Sequence, residues 1–158
     1  MRRYTLSAAM LLLAGVGLVT AQAKPDFSGE RALNRQASTL SPAVAASVQD
    51  GMLRIQHDEP KIRVALRLVF DGKPFETVFE RLIDGQEIND SRQGRRSVSS
   101  VGWDGDTLVF EDRSSGPNCE TTLTIRYELQ DGGRTIRATE TIRGCGRDQD
   151  NVWVFERR

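Results

Sequence analysis

Five Asp-Gly pairs punctuate this chain: Asp50-Gly51, Asp71-Gly72, Asp84-Gly85, Asp104-Gly105 and Asp131-Gly132. Asp and Gly tolerate the positive φ that tight hairpin turns demand, so the dipeptide between apolar runs marks a hairpin. The runs between the pairs have period two. Ile62, Val64, Leu66, Leu68 and Phe70 alternate with Lys61, Arg63, Ala65, Arg67 and Val69. Leu123, Ile125, Tyr127 and Leu129 alternate with Thr122, Thr124, Arg126 and Glu128. A strand gathers such residues on one face, whereas a helix would scatter them around its axis. One buried face and one wet face is the pattern of an antiparallel sheet.

Strands are expected near 28–34, 43–49, 52–57, 61–70, 75–83, 95–103, 107–113, 120–130, 134–143 and 152–157. Segment 43–49 reads equally as a short helix near 41–48, with Ser41 as N-cap and Pro42 in the first turn. Nine or ten sequential strands with short connections form a meander, and closure into a barrel hides its edges. The expected fold is an all-β, antiparallel meander of about 9–10 strands closed into a barrel. No linker or shift of composition divides residues 24–158, which are expected to form a single domain.

The hairpin around Asp131-Gly132 has a readable register. Leu129 facing Ile136, Tyr127 facing Ala138, Ile125 facing Glu140 and Leu123 facing Ile142 put Glu128 opposite Arg137 on the wet face. The neighbouring register opposes Arg126 to Arg137 and Leu129 to Arg134, and like charges directly opposed are destabilising. The chosen register makes Gly132-Gly133 the two-residue turn. It leaves Cys119 and Cys145 one residue out of step, which a single-residue bulge between Cys119 and Leu123 would correct. A disulfide between these two is expected, worth about 3.5 kcal/mol on the chain-entropy model. The long spacing lacks the Cys-x-x-Cys arrangement of a redox pair.

Arg2 and Arg3 precede an apolar run from Ala8 to Val19, and Ala21-Gln22-Ala23 supplies small residues where a signal peptidase reads. The run spans about 18 Å as a helix, short of a bilayer core of about 30 Å. We expect residues 1–23 to be a signal peptide cleaved after Ala23. The rest is expected in the periplasm or outside the cell, without a stable membrane anchor, and the cysteines fit that oxidising compartment.

The 22 Lys+Arg balance the 22 Asp+Glu. A near-neutral domain has no general attraction for nucleic acid, which needs concentrated positive charge. One His and two Cys cannot build a four-ligand structural zinc site without carboxylates or a partner chain. Phosphate loops, zincin helices and dinucleotide fingerprints are absent, and no Gly-x-Ser-x-Gly elbow surrounds Ser97, Ser99 or Ser100. No metal, cofactor or catalytic residue is expected.

Asp26-Phe27-Ser28-Gly29 followed by Leu33-Asn34, then Asp71-Gly72-Lys73-Pro74, Trp103 to Phe110 and the ending Val154-Phe155-Glu156-Arg157 span nearly the whole domain. In these stretches the chain resembles lipocalin-like exported bacterial β-barrel proteins, a group without a settled activity. The resemblance implies one antiparallel barrel behind a signal peptide. Lipocalin-type barrels open with Gly-x-Trp, whose indole plugs the closed end; Gly29-Glu30-Arg31 stands at those positions here. The plug then comes from elsewhere, from Trp103 or Trp153, or the barrel stays partly open.

Two polar residues stand out on the inward alternation. Glu140 falls between Ala138 and Ile142, and a carboxylate directed into a barrel must pair, bind a cation or shift its pKa. Arg31, or another Arg from the barrel floor, is its expected partner, with Tyr127 nearby; anchoring a ligand and a local twist that returns it to solvent are the other readings. His57 continues the alternation of Leu53 and Ile55 and is expected at a barrel mouth. Arg92, Arg95 and Arg96 are expected on a solvated loop.

The inward stripe of Ile62, Val64, Leu66, Leu68, Phe70, Phe75, Phe79, Trp103 and Phe110 suits a cavity and a filled core alike. The expected function is non-enzymatic binding of a small apolar or amphipathic ligand, with Glu140, Tyr127, His57, Phe70 and Trp103 as candidate ligand contacts. The alternative is a protein-binding module, for example an inhibitor of a secreted hydrolase, that meets an envelope or secreted partner through loops 86–96 or 113–118.

Overall fold

A computed structural model describes residues 23–89 and 96–157. The expected leader up to Gln22, and Arg92 and Arg95 of the basic cluster, lie outside the described residues. The elements run β1 (Gly29–Leu33), α1 (Pro42–Ser47), β2 (Val48–Asp58), β3 (Lys61–Phe70), β4 (Lys73–Leu82), β5 (Ile88–Asn89), β6 (Arg96–Asp104), β7 (Thr107–Ser115), β8 (Glu120–Gln130), β9 (Thr135–Arg143) and β10 (Gln149–Glu156). The fold is all-β and antiparallel. The segment that read as strand or helix is a helix, α1, because Pro42 is preorganised for the first turn and removes a ladder donor.

The strands form one curled sheet in the order β4-β3-β2-β1-β10-β9-β8-β7-β6-β5. Sequence neighbours lie side by side except β4 and β5, and β1 pairs with β10 to join the two ends of the meander. Closure by hydrogen-bonded strands stops at β4 and β5, the two edges, so the expected closed barrel has a seam. Side chains and turns bridge it instead. Phe79 of β4 stacks on Phe110 of β7 with ring centroids 4.9 Å apart. Arg81 Nε donates to Ser99 Oγ at 3.3 Å, and the Gly85 amide donates to the Val101 carbonyl at 2.8 Å.

The alternation sets the core. Leu53, Ile55, Ile62, Val64, Val101, Leu108, Ile136 and Phe155 are buried together inside the curl. The β8–β9 register is the one expected, with Leu129 facing Ile136, Tyr127 facing Ala138 and Ile125 facing Glu140. On the wet face Arg137 approaches Glu128 at 3.8 Å.

Three local expectations need correction. The β8–β9 connection is not a two-residue Gly132-Gly133 turn, because pairing ends at Gln130 and Thr135; Asp131, Gly132 and Gly133 all adopt positive φ. Asp50-Gly51 does not turn the chain. It lies within β2, where the pairing to β3 shifts between Val48 and Asp50. Glycine is needed there for close approach, since a Cβ on Gly51 would fall 2.7 Å from the Leu68 side chain.

The third concerns the disulfide. Cys119 and Cys145 are joined, but without the expected bulge. The ladder starts at Thr122 facing Arg143, so both cysteines lie beyond its last rung, where register no longer constrains them. The chain reaches this pairing through the Gly144-Cys145-Gly146 turn. Gly144 has φ +98, and a Cβ there would sit 2.1 Å from the Glu120 carbonyl oxygen.

The end of the curl that holds the β2–β3, β6–β7 and β8–β9 turns is closed by the segment before β1. Phe27 is fully buried there, 6.0 Å from the Trp103 ring. The aromatic plug therefore comes from Phe27 and Trp103, while Arg31 takes the place expected of tryptophan. Only 1 % exposed, Arg31 donates to the carbonyls of Phe27 (3.1 Å) and Gly133 (2.8 Å). Its Nε has no partner among the described residues. Loss of hydration lowers its pKa first and Arg157 adds to this, while Asp26 opposes both.

Candidate functional site

Inside the curl, β2, β3, β8, β9 and β10 line a partly open cavity of about 40 Å³. Leu53, Leu66, Leu68, Ile125, Ala138, Trp153 and Phe155 line it, together with Tyr127 and Glu140. A single water needs roughly 10–15 Å³ by this measure, so the space is small but real. Glu140 is its one charged lining residue.

Strand pairing explains the placement. Glu140 faces Ile125 on one side and Asn151 on the other, so all three point into the curl. Asn151 Nδ2 donates to Glu140 Oε1 at 2.6 Å, while Asn151 Oδ1 accepts the Ser41 amide at 2.8 Å. With its oxygen held by that amide, Asn151 must turn its NH2 toward the carboxylate. The expected Arg31–Glu140 ion pair does not form, because the closed-end carbonyls engage Arg31. The alternation of Asn151 with Trp153 and Phe155 carried the signal for Asn151, but the strand had been expected to start one residue later, at 152.

Tyr127 is buried one inward rung from Glu140. Burial raises its pKa far above the ordinary phenol value, and the Glu140 charge adds to the rise. The hydroxyl therefore stays protonated, available as a donor or acceptor. Phe70 packs against the rim of the core and meets Phe75 at 6.5 Å beside the seam. Phe75 belongs to the inward stripe but is 51 % exposed, because β4 is an edge strand.

His57 and Trp103 are brought together, but away from the cavity. Their rings are 5.9 Å apart under Phe27 at the closed end, not at a mouth. His57 Nδ1 accepts the Phe27 amide at 3.3 Å, and Nε2 lies 3.2 Å from Glu59 Oε1. Trp103 Nε1 donates to the same Glu59 oxygen at 2.9 Å. The imidazole thus joins the plug segment to the β2–β3 turn. The separation arises because strand alternation determines the face a residue occupies but leaves open its height along the barrel.

A larger recess of about 390 Å³ lies on the outer face of β2, β3 and β4, around Met52, Ala65, Val69 and Val78. The Arg54–Glu30 and Arg67–Glu76 pairs border it. No group of three or more His, Cys, Asp or Glu is placed to hold a metal among the described residues. No helix among them is long and apolar enough to cross a membrane.

No protein-family model and no curated protein matches the chain. Solved structures do. Secretory abundant heat soluble protein 4 from Ramazzottius varieornatus superposes with TM-score 0.56 at 16 % identity, over 87 % of this chain and 100 % of that one. Human cRBP IV gives 0.55 at 17 % identity, over 85 % and 99 %. A variant of the REP1-NXSQ fatty acid transporter gives 0.52 at 16 % identity, over 84 % and 98 %. The fold is lipocalin-like. At such identities the likeness is one of architecture, and function must be argued from the site.

Proposed function

We propose that the protein is an exported carrier that binds a small apolar or amphipathic molecule inside the curl without transforming it. The observation that carries this reading is the apolar internal cavity with one carboxylate and one phenol turned into it. Pockets that enclose a ligand are commonly about 300–1,000 Å³, so about 40 Å³ must widen to take one. The seam supports such widening, since among the described residues β4 is tied to the strands opposite by the Phe79–Phe110 stack and the Arg81–Ser99 hydrogen bond. Among the architectural relatives, one is described as a fatty acid transporter, which fits a carrier role. Glu140 and Tyr127 are the proposed contacts; Phe70 lies outside the cavity lining, at the rim, while His57 and Trp103 brace the closed end.

Native mass spectrometry of protein purified from its own source tests this directly. A retained small-molecule adduct, lost in Ala138→Leu where the cavity is filled, is the expected result. A bare mass together with no saturable uptake of the apolar dye N-phenyl-1-naphthylamine would rule it out.

One observation favours protein binding as a second reading. Phe75, Val78 and Leu82 on β4 and Ile88 on β5 leave large apolar side chains exposed along the two sheet edges. Exposed apolar edges pair readily with other chains. The second reading requires a specific protein to be recovered by wild type in a pull-down from an envelope extract and lost with Val78→Lys.

A further inference from the structure

We propose that the interior selects amphiphiles with a protonated amine head, and that Glu140 is the selecting residue; this rests on the interior-binding reading above. The argument begins with the charges on the strands around the cavity. Arg126 on β8 pairs with Asp104, and Arg137 on β9 approaches Glu128. Arg143 pairs with Asp150. All three alternate away from Tyr127, Ala138 and Glu140, so they lie on the wet face. Two inward cations are occupied elsewhere: Arg31 by the carbonyls of the closed end, and Arg81 by the Glu80 carbonyl and Ser99 at the seam; a third, Lys73, faces Phe70 at the exposed start of β4. No cation of the described chain forms an ion pair with Glu140.

The carboxylate is also held in the role of acceptor. Asn151, 1 % exposed, offers it only an NH2 group, since its amide oxygen already accepts from Ser41. An ionised carboxylate has about four lone-pair positions, and this contact is the one hydrogen bond to Glu140 found among the described residues. Half-buried, Glu140 lines a pocket whose other residues are apolar apart from Tyr127. An alkylammonium head supplies N–H donors and a compensating positive charge, and its tail follows Leu53, Leu66 and Leu68. The Tyr127 phenol oxygen can accept a second N–H. A fatty acid would instead bring a second negative charge into a site of low dielectric, where like charges repel strongly.

The proposal is tested by calorimetric titration near pH 7 with decylamine, decanol and decanoate below their aggregation limits. Wild-type protein and Glu140→Gln are compared, because glutamine keeps an acceptor for Asn151. The expected result is that decylamine binds wild type at least about tenfold more tightly than decanoate, with decanol between them. Glu140→Gln should reduce the amine to the level of the alcohol. Decanoate binding as well as decylamine, or an amine preference that survives Glu140→Gln, would overturn the selectivity while leaving interior binding intact. Saturable binding of none of the three would overturn the interior-binding reading and the selectivity with it. Should Glu140→Gln not fold, the wild-type ranking still decides.

Discussion

The backbone amide of Phe27 donates to Nδ1 of His57 at 3.3 Å, so the buried plug is tied to β2 by an imidazole. With Nδ1 as acceptor, the proton of the neutral ring sits on Nε2 and points to Glu59. The lone histidine thereby satisfies a donor that would otherwise be stranded at the closed end. His57→Phe keeps an aromatic ring against Phe27 and Trp103 but removes the acceptor. Equilibrium urea unfolding should show a loss of about 1–3 kcal/mol. An unchanged midpoint and slope would show that the bond contributes nothing.

Asp26 gives a pH dependence. Ser28, whose amide donates to it at 2.8 Å, holds its carboxyl below the ordinary value, with smaller help from His57 and Arg157. A folded-state pKa below the unfolded one stabilises the protein above the unfolded pKa, and the contribution fades as pH falls through the folded one. The side chain is 73 % exposed, so solvent screening keeps the effect under about 1 kcal/mol. Wild type should exceed Asp26→Ala in stability at pH 6, with the gap closing below about pH 4. A constant gap from pH 6 to pH 3 would contradict the assignment.

The disulfide closes a loop whose ends are 26 residues apart in sequence. Replacing both cysteines by serine should cost about 2–4 kcal/mol. The β8–β9 ladder should survive, because its first rung, Thr122 facing Arg143, needs neither cysteine. Amide exchange of β8 and β9 in the double variant checks both statements.

Phe79 and Phe110 carry much of the contact across the seam. Phe79→Ala should destabilise the protein by about 1–3 kcal/mol, below the usual cost for a fully buried ring because Phe79 is only partly buried. The same change should speed the uptake of N-phenyl-1-naphthylamine in stopped-flow mixing. Slower or unchanged uptake would place the entry route elsewhere.

Much of the fold was legible in the residues themselves. Alternation located the strands, and opposed charges chose the β8–β9 register, because both depend on neighbours within one hairpin. Pro42 offered the helix that stands between β1 and β2. The candidate site was half legible: Glu140 betrayed itself as a charge on an apolar face, and Tyr127 as its neighbour on the facing strand. Its partner was not, since Arg31 and Asn151 were both chemically able to answer a carboxylate.

What tertiary structure alone decided was distance along the barrel and the state of its edges. It carried Arg31 to the closed end and put His57 beneath Phe27. It also set Asn151 across the ladder from Glu140 and left β4 and β5 as the two edges of the sheet. Local pattern specifies the face a side chain occupies, through the two-residue period of the backbone. The height of that side chain and the identity of its long-range partner depend on how ten strands stagger and curl together, which no single segment encodes.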